Sequence, residues 1–184
     1  MNTNPDIFAR LETIRRVFLG SPGDVQFGGN KKTSSQFGTS LYAIEDCESA
    51  IRAYEKMPWP EDVGGKYLAI YGVLQAMVVQ QDAVRHLHEA INKKFELDDE
   101  LKSIRNCRNM CVGHPSKQDR PPNDRRLPDH HTIVQPTISR HGFDVLSLNE
   151  PDGFRDRNIS VLKMIEVQRL ALDTKLSALA SQSE

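Results

Sequence analysis

The chain lacks any apolar run that approaches the length of a membrane span, which is about 20 residues. Its first residues, Met1–Pro5, have neither the positive charge nor the apolar segment of a signal peptide. These absences predict a cytoplasmic protein without membrane contact. The length of 184 residues is enough for one well-buried domain, and a second independent core is not expected.

Cysteine is scarce and its number is odd. Cys107 and Cys111 lie one helical turn apart, and Cys47 is far upstream. This usage is typical of a reduced intracellular protein and not of a disulfide scaffold. A metal site built from Cys107, Cys111 and His114 lacks a fourth ligand and any familiar zinc spacing. We therefore predict no metal and no cofactor.

Net charge is also nearly absent, because 24 Lys and Arg residues oppose 25 Asp and Glu residues. The whole molecule is therefore not a generic polyanion binder. The balance is uneven along the chain, since residues 102–126 hold seven basic and two acidic side chains, directly after an acidic run at 96–100. A solvated surface and an anion-binding surface both explain this pattern.

A phosphate-binding loop is missing too. The segment Gly28–Thr33 has the glycines and the lysines, but no glycine stands directly before the lysine pair. The segment also follows a predicted helix, whereas such a loop follows a strand. We do not assign nucleotide-phosphate binding to it.

Apolar residues at helical spacing predict four or five helices. They span Ile7 to Phe18, Ile44 to Tyr54, about Glu61 to Phe95, Asp98 or Asp99 to Gly113, and roughly Phe154 to Leu179. Residues 20–38 are rich in Gly, Ser and Lys and predict a flexible loop.

Residues 115–150 predict a Pro-rich loop and a β-hairpin inserted before the last helix. The two short strands are Ile133–Ile138 and Phe143–Leu148, joined through Arg140–Gly142. The predicted fold class is mainly all-α: a four- to five-helix bundle with a small hairpin, in one domain over residues 1–184.

The apolar stripe of the long third helix is interrupted by Gln80, beside Gln81 and Asp82. A buried polar side chain needs a partner. The cluster therefore predicts either a polar pocket, with Asp82 binding substrate, or a hydrogen bond between helices.

The fourth helix ends in a run of chemically capable residues. Arg105, Arg108 and Asn109 are three and four residues apart, so they are expected to share a face. Gly113 and Pro115 form a helix stop that lets His114 fold back toward Arg108. We predict Arg108, Asn109 and His114 as catalytic residues and Arg105 and Lys117 as substrate-binding residues.

These residue types suit RNA phosphodiester cleavage without a metal. Arginine stabilises the charge that develops on phosphorus, and histidine transfers protons near neutral pH. Asn109 positions the phosphate or the histidine. The alternative is structural: the arginines pair with the acidic run at 96–100 or with a neighbouring helix, and His114 caps the chain.

The stretch Ile104–Pro115 resembles the motif of the HEPN superfamily, in which an arginine and a polar residue are followed four to six positions later by a histidine. Here the matching residues are Arg108, Asn109 and His114, and the resemblance covers roughly residues 40–115. It implies a helical bundle and a homodimer in which two motifs approach one another. It also implies metal-independent endoribonuclease activity on RNA, often in toxin–antitoxin or phage-defence systems with an antitoxin or other protein partner. Some members of this superfamily only bind RNA, a nucleotide or a protein.

Three other features are weaker candidates. The triplet Asp129–His131 resembles a phosphoesterase signature, but that signature belongs at a strand end in an α/β fold. His86 and His88 face different directions on a helix and are predicted to be ordinary surface residues. Trp59, between two prolines, predicts either a packing anchor or a base-stacking position.

Overall fold

The computed structural model describes residues 5–19, 27, 30–113, 130–149 and 153–181. These residues form five α-helices and a three-stranded antiparallel sheet placed before the last helix, which confirms the mainly α fold class. The helices are α1 Ile7–Leu19, α2 Lys31–Lys56, α3 Val63–Ala90, α4 Asp99–Arg108 and α5 Val161–Ala180. No helix in the described part of the chain is long and apolar enough to cross a membrane.

Helix α2 begins earlier than predicted. The Asn30 side chain accepts hydrogen bonds from the backbone N–H groups of Lys32 and Thr33, which satisfies two donors at the helix start. The predicted loop over residues 31–38 is therefore wrong. Phe37 and Leu41 extend the apolar face of α2 toward this end and are buried in the core, so packing outweighs the local Gly and Ser content.

Helix α4 begins where the sequence indicates. Asp98 accepts a hydrogen bond from the backbone N–H of Leu101 at 3.0 Å and caps the helix. After Arg108 the helix widens into one π-helical turn, Asn109–Gly113. Gly113 ends this turn without a left-handed φ, so the helix stop lies at the predicted residue but is not a left-handed glycine cap.

The sheet has one strand more than predicted. Its strands are β1 His130–Ile133, β2 Gly142–Asn149 and β3 Gly153–Ser160, in the order β1-β2-β3. The prediction that residues 154–160 begin the last helix is wrong, because these residues pair with β2 along its whole length. The turn through Arg140–Gly142 is confirmed, whereas Gln135–Thr137, predicted as strand, is a short 3-10 helix.

The core lies between α2 and α3, with α1 packed against α5 and the inner face of the sheet closing one side. Trp59 packs edge-on against Tyr54 with ring centroids 5.9 Å apart, as expected for a packing anchor. The same core contains a band of buried polar side chains: Glu48, Gln80, Gln81, Gln168 and Arg169.

Candidate functional site

Arg105 is held by the neighbouring helix α3. Its Nη2 lies 3.0 Å from one oxygen of Asp82 and 3.3 Å from the other, and its Nη1 lies 3.4 Å from Gln81 Oε1. The two predicted substrate-binding residues Arg105 and Asp82 therefore bind each other. This is the pairing with a neighbouring helix that the sequence left open as an alternative.

Gln80 also forms hydrogen bonds between helices, which is the second of the two alternatives predicted for it. It is fully buried, its Nε2 lies 3.3 Å from Glu48 Oε2, and its Oε1 accepts from Gln168 Nε2 at 2.8 Å. Glu48 in turn lies 2.9 Å from Arg169. The polar interruption in the apolar stripe is thus part of a buried hydrogen-bond network and not the wall of a pocket.

Arg108 folds back over the end of its own helix. A Cβ built on Gly113 would lie 3.1 Å from Arg108 Nη1 and 3.7 Å from Asn109 Oδ1. Arg108 Nε is buried and has no hydrogen-bond partner among the residues that the structure describes. The guanidinium and the carboxamide of the motif therefore converge on Gly113, the residue to which His114 is bonded. His114 and Lys117 themselves lie outside the described residues.

A cleft of about 810 Å³ opens between α4 with its π-helical turn and the inner face of the sheet. From α4 and the turn it receives Asn106, Cys107 and Asn109. Arg105, Arg108 and Asp82 are not among its described lining residues, so the three predicted residues of one face separate: Asn109 faces the cleft, and Arg105 faces α3. The rotation of about 100° per residue places Asn106 about 100° and Cys107 about 160° from Arg105 around the axis of α4.

The sheet presents basic side chains to this cleft. His131, Ser147 and Arg155 are directly opposite one another on three adjacent strands, and Arg157 opposes Val145 in the next inward-facing row. Cross-strand partners project from the same face of a sheet. His131 Nδ1 lies 2.9 Å from Ser147 Oγ, which holds the imidazole in place. His131 and Arg157 both line the cleft.

Helix α5 supplies the remaining polar groups. Ser160 caps this helix by accepting a hydrogen bond from the backbone N–H of Lys163 at 3.4 Å, and both residues line the cleft. The amino end of a helix favours an anion because its backbone N–H groups carry partial positive charge. Arg157, Lys163 and this helix end lie around one cavity.

The charged side chains that line the cleft, among the described residues, are all positive. Its described lining residues include the two cations Arg157 and Lys163 and no carboxylate. A smaller hollow of about 370 Å³ adjoins it at Lys163 and contains Asp99 and Glu100. The cleft therefore favours an anion near Arg157 and becomes acidic toward the start of α4.

Cys107 is a thiol on the cleft wall. A hydrogen bond from the Cys111 thiol and the charge of Arg157 lower the pKa of Cys107, against the opposing effect of burial. Both cysteines are free and buried. Among the described residues no group of three or more His, Cys, Asp and Glu side chains is arranged to hold a metal ion.

Sequence reasoning missed the contribution of the sheet. It set His131 aside because of its Pro-rich surroundings, and it placed Arg157 and Lys163 on a helix that was predicted to start too early. The alternation Arg155-Asp156-Arg157 has the period of a strand and was the one signal available. The prediction that His88 is a surface residue is also wrong, since its side chain is buried.

Comparison with known proteins yields no match: no protein-family model, no curated protein and no solved structure matches this chain. The resemblance to the HEPN superfamily therefore remains a prediction that rests on Arg108, Asn109 and His114 themselves.

Proposed function

We propose that the protein is a metal-independent endoribonuclease that binds RNA in the cleft between α4 and the sheet. The observation that carries the proposal is the cleft itself. Its volume is about 810 Å³, its described walls hold Arg157 and Lys163 without a carboxylate, and Asn109 of the motif opens into it. An RNA phosphate is attracted there by Arg157 in particular, because Lys163 is also paired with Glu166.

Cleavage by the ribose 2′-hydroxyl has three chemical requirements. A base removes the hydroxyl proton, a cation stabilises the five-coordinate phosphorus, and an acid protonates the leaving 5′-oxygen. His114 and His131 are the imidazoles for the two proton transfers, and His131 is held at the cleft wall by Ser147. Arg157 supplies positive charge within the same cleft. Proton transfer and charge stabilisation are thus available within one chain.

The motif residues have separate roles in this proposal. Asn109 contacts the bound phosphate group from the π-helical turn. Arg108, whose guanidinium lies beside Gly113, approaches RNA or orients the next residue, His114. Arg105 is a positioning residue, because its guanidinium is engaged by Asp82 and fixes α4 against α3.

Incubation of labelled single-stranded RNA with the purified protein in EDTA tests the activity. We expect cleavage that falls about a hundredfold or more in His114→Ala, the usual loss on removing a general acid or base. Arg157→Ala removes one of the two cleft cations and is expected to reduce cleavage as well. Arg16→Ala, an exposed arginine on α1 outside the cleft, is the matched control and keeps full activity. Equal cleavage by wild type and His114→Ala, or cleavage that requires added metal, contradicts the proposal.

The second candidate is a helical module that binds RNA, a nucleotide or a protein partner without turnover. The tight pairing of Arg105 with Asp82 favours it, because part of the motif helix is then structural. Filter binding with uncleavable 2′-deoxy substrate separates the two functions. A module that only binds retains affinity in His114→Ala, loses it in Arg157→Ala, and releases no cleaved product with RNA.

A further inference from the structure

Two cysteines lie one helical turn apart where α4 passes into the π-helical turn. Cys107 is the penultimate residue of α4, and Cys111 is in the middle of the turn Asn109–Gly113. Both thiols are free, and the two residues are 7% and 3% exposed. Neither thiol has a role in the proposed cleavage of RNA. The pair is therefore an unused reactive group beside the candidate site.

The spacing of the two cysteines suits a bond between them. Residues four apart in a helix share a face, and their Cα atoms are about 6 Å apart. This separation lies within the range of about 4.4 to 6.8 Å that a disulfide requires. The Cys111 thiol also donates a hydrogen bond to Cys107, so the two side chains point toward each other. A disulfide between them therefore requires only a local adjustment of the helix.

The cleft gives an oxidant access to one member of the pair. Cys107 lines the cleft between α4 and the sheet, whereas Cys111 is not among the described lining residues. Both cysteines belong to the buried core on their other sides. A small polar oxidant that enters the cleft consequently meets Cys107 first.

Arg157 favours the reactive form of Cys107, because the thiolate is the form that attacks an oxidant. The hydrogen bond from Cys111 lowers the pKa of Cys107, burial opposes this effect, and the charge of Arg157 adds to it. The same hydrogen bond and burial raise the pKa of Cys111, which stays a thiol. One thiol is thus prepared to react and the other to follow, as in redox-sensing cysteine pairs.

We propose that Cys107 and Cys111 form a thiol-oxidation site that hydrogen peroxide converts to a disulfide. The Cys107 thiolate attacks one peroxide oxygen, the O–O bond breaks, hydroxide leaves, and Cys107 becomes a sulfenic acid. The Cys111 sulfur then attacks the sulfenic sulfur, and the S–O bond breaks as the S–S bond forms. The proton of Cys111 leaves with that oxygen as water, and the proton that Cys107 gave up turns the hydroxide into a second water. The two thiols are oxidised by two electrons, and the peroxide is reduced.

The disulfide also changes the candidate site, because Arg108 and Asn109 lie between the two cysteines in the chain. Residues four apart in a helix have Cβ atoms about 5 to 6 Å apart, whereas a disulfide holds them at about 3.5 to 4.5 Å. The backbone between the cysteines must therefore shift, and Asn109 on the cleft wall shifts with it. The oxidation itself is independent of ribonuclease activity, whereas its effect on RNA binding rests on the proposed function.

Peptide mapping of the full-length wild-type protein tests the disulfide without any substitution. The folded protein is treated with hydrogen peroxide, and its remaining thiols are then alkylated in denaturant. Trypsin cleaves after Arg108, so a Cys107–Cys111 disulfide is expected to join two tryptic peptides that dithiothreitol separates. Recovery of both cysteines in alkylated form overturns the proposal.

Cys47 is the internal control in the same peptide map. Burial raises the pKa of Cys47 to about 11, with a smaller contribution from Asp46. Cys47 is therefore expected to stay a thiol and to be recovered in alkylated form. Oxidation of Cys47 as fast as that of Cys107 would mean that the peroxide acts on unfolded chains, which also overturns the proposal.

Single variants separate the roles of the two thiols. Cys111→Ser lacks the second thiol and is expected to accumulate a sulfenic acid at Cys107, which dimedone traps. Cys107→Ser is expected to leave Cys111 unmodified. Arg157→Gln removes the nearby charge and is expected to slow the oxidation of Cys107 several-fold. Equal trapping by dimedone in the two cysteine variants contradicts the assignment of Cys107 as the reacting thiol.

Filter binding of uncleavable 2′-deoxy substrate to reduced and oxidised protein tests the effect on the cleft. We expect oxidation to weaken binding about tenfold, the equivalent of one lost hydrogen bond, and dithiothreitol to restore it. Peroxide is expected to leave the affinity of Cys107→Ser unchanged. Equal affinity of reduced and oxidised wild type refutes the link to the cleft. Failure of the reduced protein to bind contradicts the proposed function instead, and the peptide map then decides the thiol-oxidation site by itself.

Discussion

His88 is a buried histidine in the last turn of α3. Its Nδ1 lies 2.8 Å from the carbonyl oxygen of Val84, and its ring packs against Phe95 at 5.3 Å between centroids. Burial lowers the pKa of His88 below its ordinary value of 6.5, and the nearby charge of Lys175 acts in the same direction. The neutral ring is therefore the form that the fold accommodates.

The lowered pKa of His88 predicts that the free energy of unfolding decreases in acid. The unfolded chain takes up a proton near pH 6.5 while the folded chain still resists it, so protonation favours unfolding as the pH falls below 6.5. The contribution is fully present above that pH and is lost as the pH falls through the lowered pKa of the folded state. Urea unfolding at pH 7.5 and pH 5 measures it. His88→Gln, which does not titrate, is expected to show a smaller decrease, and equal decreases in both proteins would refute the assignment.

At the scale of elements, the turn into β2 is the tightest point of the sheet. A Cβ built on Gly142 would lie 1.8 Å from the carbonyl oxygen of Ile159 on β3. Gly142 also exchanges backbone hydrogen bonds with Ser139, which closes the turn. Because β3 continues directly into α5, the position of Ser160 and Lys163 at the cleft depends on this close approach.

Gly142→Ala is accordingly expected to lower the free energy of unfolding by at least about 2 kcal/mol, since the backbone atoms it meets cannot move aside. Gly153→Ala provides the comparison at the other end of β3. Gly153 has a φ of 79° but open space around its Cα, so only the left-handed backbone penalises alanine there, by about 1 kcal/mol. Chemical denaturation of both variants measures the difference. A smaller loss of unfolding free energy at Gly142 than at Gly153 would show that β2 and β3 move apart at Gly142 with little loss of stability.

Helix α4 contacts α3 with one side and lines the cleft with another. Arg105 points to α3, where it pairs with Asp82, and Asn106 and Cys107 point to the cleft. A helix in this position is fixed by one face and leaves the other open for a ligand. The side chains that anchor the helix are therefore different from those that line the cleft.

At the scale of the whole molecule, one chain of buried polar contacts crosses the core. It starts at Arg105 and Gln81, passes through Gln168 to Gln80 and Glu48, and reaches Glu55 through Arg169. Helices α4, α3, α5 and α2 all contribute to it. Such a network fixes one register between helices, because each shifted register leaves buried groups unpaired.

Gln168 is the central link and is 1% exposed. Its Nε2 donates to the Met77 carbonyl oxygen at 3.0 Å, and its Oε1 accepts from Gln81 at 2.8 Å. Gln168→Leu leaves these partners buried and unsatisfied, so we expect a loss of about 3 kcal/mol in the free energy of unfolding. Glu166→Leu on the exposed side of the same helix removes a surface ion pair with Lys163 and is expected to cost less than about 0.5 kcal/mol. Equal urea midpoints for the two variants would argue against the network.

Much of the helical framework was predictable from local pattern. The Asp98 cap, the end of the fourth helix at Gly113 and the turn at Arg140–Gly142 depend on residues close in sequence, so their chemistry acts wherever the chain goes. The presence of Asn109 beside Arg108 at a helix end was equally visible. The helical content of residues 31–38 was not, because their apolar face gains its energy only from the distant core.

Residue types and their spacing were enough to establish which segments are amphipathic and which side chains are able to bind an anion or transfer a proton. The partners of these side chains were established by packing between distant parts of the chain. Pairing with β2 made residues 153–160 a strand and brought His131 and Arg157 to the cleft beside Asn109. Packing of α4 against α3 paired Arg105 with Asp82. These contacts join residues far apart in the chain, and their energy arises only when the elements have packed.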